Sequence, residues 1–432
     1  MVYLNLIYFL IITYYGYKFL YSESRIVKSP FDKNQLLELT GPEAFWVLTF
    51  STGLLAFSIT IGLDLMAIRL LVLEVFCIIG IQRTAGRMIW SPALRMYVLY
   101  MIWLFIGCFY GPSWNYGIRV MLKYIYPLLL CLFAAKVTTD FAIAMKATLM
   151  ARWVAFVALV ITFIPGVRGT LLPGVFWYGT AQAIHYISIM TLSIALFFFT
   201  SEKRKNAIYA VLFLLPCFLW VFRTSIMGSG VAIMAFSVIR WRLRALPVIA
   251  AVLIGGVVAV FTIPSLREKM FYDANVTIED FQNGKISEDN LDTNGRSMMK
   301  EVIEARFYFG HEYAGSGTGS VQEYMYNNSH LFNGIKIVHN DFVQMKCDNG
   351  LIGLWLYCGI AILIFLHCFK VYWSTADEQL RFLSITAGAS MLGVFATLYS
   401  DNTVNYSMAT LSMPFGFYGM MLGLYKHQQE ET

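Results

Sequence analysis

The sequence predicts an all-α polytopic membrane protein with about 12 to 13 transmembrane helices and one large, partly helical extracytoplasmic loop. Three observations lead there. The chain is 58% hydrophobic and only 13% charged, whereas roughly a quarter of a soluble protein is charged. Apolar runs of spanning length recur along it. The acidic residues, by contrast, gather in one stretch, 265-349, which holds 13 of the 26 Asp and Glu. Crossing about 30 Å of hydrocarbon takes roughly 20 apolar residues as a helix, because only internal hydrogen bonds satisfy the backbone there.

Taken in order, the runs fall at 2-21, 44-63, 65-82, 93-110, 118-136, 149-166, 181-200, 206-222, 224-240, 247-264, 350-371, 382-400 and 405-425. The first has no basic segment before it and no small-residue cleavage site after it, so it reads as a retained helix rather than a signal peptide. Residues 1-264 thus form an N-terminal transmembrane region of about ten helices. The loop 265-349 follows, and 350-432 supplies about three more spans.

Positive charge orients these runs, because Lys and Arg stay on the cytoplasmic side. Basic residues recur at every second loop: Arg25, Lys28 and Lys33; Arg83, Arg87 and Arg95; Lys136, Lys146 and Arg152; Lys203, Arg204 and Lys205; Arg240, Arg242 and Arg244. The alternate loops, around Asp64, 111-117, 165-180, 223 and 401-404, carry few, and 265-349 belongs to this outer set. The net charge of +6 follows from topology, so no nucleic-acid partner is expected.

Within the outer loop, residues 294-307 read as an amphipathic helix capped by Thr293 or Asn294, with Arg296 in its first turn and Gly310 beyond its end. A second helix begins at His339-Asn340-Asp341, where Asn340 or Asp341 caps it, and Gly350 ends it before the next span. The stretch Gly315-Ser316-Gly317-Thr318-Gly319-Ser320 lacks the Gly-Lys-Ser/Thr ending of a nucleotide loop and reads as a flexible turn.

Four outer arginines stand out, since a planar guanidinium donates paired hydrogen bonds to pyrophosphate and keeps its charge. Arg168 follows a span, Arg223 occupies the turn Phe222-Arg223-Thr224-Ser225, and Arg296 and Arg306 lie on the loop helix. The plainer reading of Arg223 is an interfacial anchor whose stem snorkels to the headgroups; for Arg306 the plainer, structural reading is preferred. His339 is a candidate proton acceptor near neutral pH, against the simpler reading of an exposed structural histidine.

Arg119 and Lys123 lie one turn apart at the outer end of their helix and could face one anionic headgroup. Glu74, Lys123, His185 and His367 fall within or near the ends of spans, too scattered for a proton relay. Cys77, Cys108, Cys131, Cys217, Cys358 and Cys368 fall inside spans and Cys347 does not; none has metal-ligand spacing. No metal or cofactor is expected, although Asp273, Asp289 and Asp292 could meet in space.

The run His339-Asn340, nine residues, then Gly350-Leu351-Ile352-Gly353 resembles the His-Asn/Ser/Gln, nine-residue gap, Gly-x-x-Gly signature of the bacterial O-antigen ligase and polymerase family. Arg223-Thr224-Ser225 is similar to that family's outer-turn arginine, although Phe222 stands where many members have Ser. Gly295-Arg296 followed by Gly315 to Gly319, and the less specific Arg168-Gly169, look like its other loop elements. The likeness covers roughly residues 118-425, and the chain has one more helix than the usual twelve.

That resemblance implies an inner-membrane glycosyltransferase working at the periplasmic face on an undecaprenyl-pyrophosphate-linked oligosaccharide donor. It implies His339 as general base and Arg223 and Arg296 as catalytic cations, with Arg168, Asn340, Arg119 and Lys123 contacting pyrophosphate or glycan. Membrane lipids and other polysaccharide-assembly proteins are the further expected partners. The reading preferred is a polymerase of O-antigen or exopolysaccharide repeats. The alternative is a ligase moving finished glycan to lipid A-core or another acceptor. A transporter or flippase should instead show internal repeats and charges at the midplane, and neither is evident in the sequence.

Overall fold

The computed structural model describes residues 2–32, 34–55, 65–86, 88–164, 179–273, 276–277, 279–280, 283 and 296–431, without the side chains of 2–8, 65–67, 296 and 428–431. These residues are overwhelmingly helical. The N-terminal part comprises α1 (Val2–Leu20), α2 (Gly41–Thr52), α3 (Leu65–Arg83), α4 (Pro92–Tyr110), α5 (Trp114–Val137), α6 (Phe141–Phe163), α7 (Thr180–Phe199), α8 (Lys203–Leu219), α9 (Arg223–Trp241) and α10 (Leu246–Thr262). The loop carries α11 (Pro264–Met270), α12 (Arg296–Phe307) and α13 (Ser320–Asn327), and the chain continues through α14 (Asp341–Ser374), α15 (Glu378–Thr397) and α16 (Ser412–Glu431).

Seven described helical stretches are long and apolar enough to cross a membrane: α4, α5, α6, α7, the continuous Arg223–Thr262 stretch of α9 and α10, α14 and α15. The remaining expected spans coincide with the helices α1, α2, α3, α8 and α16, and the second half of 44-63 lies largely outside the described residues. Enclosure separates centre from periphery. In α7 and α15, 78% of the apolar window is buried, whereas α10 buries no residue. An all-apolar helix with no protein neighbour over most of its surface suits contact with lipid.

The crossing of α9 and α15 is close because both contribute glycine. A Cβ on Gly228 would come within 2.8 Å of the Gly393 carbonyl, and one on Gly393 within 2.8 Å of the Gly228 carbonyl. Small residues let helices approach in this way where lipid offers no hydrophobic drive to associate. The crossing brings the first turn of α9 against the last turn of α15, which is where the candidate site forms.

Four boundaries differ from the sequence reading. Helix α6 starts eight residues before the expected 149, because Asp140 caps it by accepting from the Ala142 amide at 2.8 Å. Lys146 and Arg152 are therefore helical; buried Arg152 donates to Asn206 Oδ1 at 2.6 Å. The basic connection after α1 is a hairpin rather than plain loop, with β1 (Ser24–Lys28) antiparallel to β2 (Leu36–Thr40) and Ser24 opposite Thr40.

The span expected at 350-371 is the second part of one 34-residue helix, broken at Gly350 by φ 66°, ψ −172°. That backbone conformation is nearly closed to other residues. The last span starts at Ser412 instead of 405, since 398–411 is a buried, mostly irregular polar loop.

Candidate functional site

His339 precedes the first residue of α14, and its position follows from how that helix begins. Asn340 caps the helix: its Oδ1 accepts from the Val343 amide at 3.0 Å, satisfying one of the free N–H groups that every helix start exposes. Asp341 then ties the helix start to 398–411 from both ends. Its amide donates to the Leu398 carbonyl at 2.9 Å, and its Oδ2 accepts from the Val404 amide at 2.9 Å.

This docking sets His339 Nδ1 3.3 Å from Asp401 Oδ1 and 3.1 Å from the side-chain amide nitrogen of Asn402. Asp401 is buried and accepts on several sides. Its Oδ1 takes the Asn402 amide at 2.8 Å, and its Oδ2 lies 3.3 Å from Thr180 Oγ1 and 3.5 Å from Thr224 Oγ1. Ser400 Oγ donates in turn to Thr224 Oγ1 at 3.0 Å. The starts of α7, α9 and α14 and the exit of α15 thus meet at one carboxylate.

Exposure distinguishes the two partners: the His339 side chain is 35% accessible and that of Asp401 4%. With Asp401 accepting, the ring proton sits on Nδ1 and Nε2 keeps its lone pair; this tautomer requires the Asn402 side-chain amide to turn its oxygen, otherwise buried without a partner among the described residues, toward Nδ1. No hydrogen bond to Nε2 is formed among the described residues.

The loop 398–411 is mostly irregular backbone packed inside a membrane protein, tolerated only where protein groups satisfy it. They do so here. Thr410 Oγ1 donates to the Thr403 carbonyl at 2.8 Å, and buried His185 donates from Nδ1 to the Ala409 carbonyl at 2.7 Å. Lys123 also serves this loop: its ammonium donates to Asn405 Oδ1 and, at 3.3 Å, to Gln322 Oε1. Lys123 is therefore turned into the protein instead of toward a headgroup. Arg119, one turn earlier, lies over the Tyr116 ring at 5.6 Å.

Arg223 is the first residue of α9, beside the Thr224 that reaches Asp401. Its Nη1 donates to the Lys269 carbonyl of α11 at 2.7 Å, and Lys269 Nζ donates back to the Trp220 carbonyl at 3.2 Å. Arg296 begins α12 as expected, but its side chain is outside the described set, and Arg168 lies wholly outside the described residues. Arg306 stacks over Tyr324 at 4.6 Å, in keeping with the plainer reading of it.

Helix α12 packs through Met299 and Ile303 onto Val321, Met325, Phe332, Val338, Val343 and Cys347. The end of the large loop is thus a small folded unit with its own core, seated against the first turns of α14.

The glycine-rich stretch is not a flexible turn. Gly315, Gly317 and Gly319 all have positive φ, and the segment is wedged against the α4–α5 turn. A Cβ on Gly317 would lie 2.3 Å from Gly111 Cα. The buried Asp348 carboxylate accepts from the Gly319 amide at 3.2 Å and from the Val321 amide at 2.8 Å, gathering the start of α13. Thr318 Oγ1 donates to the Leu104 carbonyl at 2.8 Å. Substituting Gly317→Ala should therefore cost about 2–5 kcal/mol, from left-handed strain and overpacking together. A thermal unfolding midpoint in detergent equal to that of the unsubstituted protein would refute this.

Sequence reasoning missed Asp401, Asn402 and Thr224 as members of the site. A signal for the first two existed: Asp401-Asn402-Thr403 is a short polar interruption between two apolar runs.

Fold and site together define an α-helical, multi-pass membrane protein with a half-open imidazole backed by a buried carboxylate. No protein-family model matches the chain, and no curated protein matches it.

Proposed function

We propose that this protein transfers a glycan from an undecaprenyl-pyrophosphate carrier to an acceptor sugar hydroxyl, as a polymerase of surface polysaccharide repeats. The observation that carries the reading is the His339 imidazole held against Asp401, with the Arg223 turn attached to the same carboxylate through Thr224. A base and a phosphate-binding cation at one helix junction suit attack on an activated glycosyl phosphate.

In the proposed step, the acceptor oxygen bonds to the anomeric carbon while the bond from that carbon to the pyrophosphate oxygen breaks. Undecaprenyl pyrophosphate leaves with the electron pair, and the hydroxyl proton passes to His339 Nε2. A sugar hydroxyl is a weak nucleophile, so a positioned base contributes typically 10²- to 10⁴-fold. Charge grows on the departing pyrophosphate, where Arg223 and Arg296 would stabilise it; one such preorganised donor is worth about 3 kcal/mol. On this reading the site faces the periplasm from the inner membrane, as the alternation of basic loops supports.

The deciding experiment is reconstitution with a lipid-pyrophosphate oligosaccharide and candidate acceptors, followed by detection of released carrier. Failure with every acceptor would remove the transferase reading. In a deletion strain, unpolymerised single repeats on the carrier match a polymerase, whereas long unattached chains match the ligase alternative.

Arg223→Lys tests the guanidinium. A point charge cannot reproduce two parallel hydrogen bonds, so turnover should fall at least about tenfold, part of the roughly 3 kcal/mol that such a donor supplies. Unchanged turnover would instead match a snorkelling anchor.

A further inference from the structure

The helices that build the candidate site also meet at their opposite ends, around a cavity of about 300 Å³ lined by Phe198, Phe199, Arg240, Trp241, Tyr372, Glu378 and Arg381. These residues belong to the last turns of α7 and α9, the last turn of α14 and the first turn of α15. His339, Thr180, Thr224 and Ser400 mark the other ends of the same four helices. Since α9 has 19 residues, the two places lie about 27 Å apart along it, close to the thickness of a bilayer core. A separation of that size matches the distance between the two headgroup levels of a bilayer.

Its chemistry is selective. Arg240 is held flat by aromatic rings, with Cζ 4.1 Å from the Phe198 centroid and 5.6 Å from that of Phe199. Its Nη1 reaches Tyr372 Oη at only 3.5 Å, and its buried Nε–H has no acceptor among the described residues. Arg381 is anchored by Nε to the Thr375 carbonyl at 2.9 Å and lies 5.8 Å from the Tyr372 ring. Neither guanidinium forms an ion pair among the described residues. Two arginines thus line a space that an anion would complete, and the third charge there is the exposed carboxylate of Glu378.

We propose that this cavity binds a phosphate ester that also carries an ammonium group, the chemistry of an aminophospholipid headgroup. Arg240 and Arg381 receive the phosphate, for which guanidinium forks are suited. Glu378 receives the ammonium, and the aromatic walls hold the two guanidinium groups in place for the phosphate. A purely anionic headgroup would leave Glu378 opposed to it, and a quaternary ammonium would give that carboxylate no N–H donor. The site is independent of the chemistry at the other end of the bundle.

The test uses the full-length protein purified in detergent and reconstituted in phosphatidylcholine nanodiscs containing equal phosphatidylethanolamine and phosphatidylglycerol, with co-purifying lipid quantified by mass spectrometry. The unsubstituted protein should retain phosphatidylethanolamine preferentially. Arg240→Gln and Arg381→Gln should each lower that retention by roughly tenfold, the loss of one charge-assisted contact. Glu378→Gln should shift the preference to phosphatidylglycerol, while Arg244→Gln, an exposed basic residue at the same end, should change nothing.

Should Arg240→Gln fail to accumulate, Arg381→Gln at its half-exposed position carries the test. A second arm adds free phosphoethanolamine to lipid-depleted protein. Thermal protection by it that Arg381→Gln abolishes assigns the same site to a soluble ester, and protection by the lipid alone assigns it to the membrane. Equal retention of both lipids by the unsubstituted protein, or undiminished retention in Arg381→Gln, overturns the proposal.

Discussion

Replacing His339 with alanine is expected to lower glycan transfer by about 10²- to 10⁴-fold, the range in which a positioned base contributes, while leaving abundance and membrane insertion unchanged. The separation of the two effects follows from the geometry. His339 lies outside α14, its side chain is 35% accessible, and the helix start is held by Asn340 and Asp341 instead. Truncating the imidazole therefore removes no helix cap, and the buried Asp401 keeps its contacts from Asn402, Thr180 and Thr224. The measurement is carrier release from a lipid-pyrophosphate oligosaccharide by reconstituted protein, alongside its thermal unfolding midpoint. Full activity in His339→Ala would reject the base assignment outright.

Asp401→Asn is the second large effect, and its expected signature is different. The substitution is nearly isosteric: its one oxygen can keep the Asn402 amide, and its NH2 then faces Thr180 and Thr224, whose hydroxyls can accept as well as donate. What is lost is the negative charge facing Nδ1. Without it the ring is free to take the other tautomer, with Nε2 protonated and unable to accept, and the imidazolium formed during the reaction loses its counter-charge.

Changing the corresponding carboxylate of a Ser-His-Asp triad to Asn costs about 10⁴-fold. At this longer 3.3 Å contact a loss of about 10²- to 10³-fold in kcat is expected, with KM for the donor little changed because Asp401 does not reach the solvent-open side. A variant that lost donor affinity but kept kcat would show that Asp401 merely shapes the binding surface.

Much of the helical framework was legible because hydrocarbon imposes a strict length and polarity on any helix that crosses it. The runs at 65-82, 93-110 and 181-200 match Leu65–Arg83, Pro92–Tyr110 and Thr180–Phe199 closely. The cap at Asn340 and the break at Gly350 were legible too, since one depends on a local side chain and the other on a backbone conformation that glycine alone adopts easily. Errors fell where tertiary contacts replace local rules. The run at 405-425 is apolar enough to read as one span, yet its first seven residues are held out of that helix, Asn405 by Lys123, Ala409 by His185 and Thr410 by the Thr403 carbonyl. Gly315 to Gly319 have the composition of a flexible segment, and packing against Gly111 and Asp348 makes them a rigid wedge.

From residue order alone came the class of the protein, its helical runs and the alternation of its basic loops, all consequences of the cost of placing charge and unpaired backbone in lipid, and the singling out of His339 and Arg223 from their side-chain chemistry in outer segments. Only tertiary structure joined His339 to Asp401, turned Lys123 inward to Asn405 and gathered Arg240, Arg381 and Glu378 at the far ends of the same helices. Those pairings span many tens of residues. They are decided by which helices pack side by side, and the hydrophobic pattern of a membrane helix, apolar on nearly every face, does not encode its neighbours.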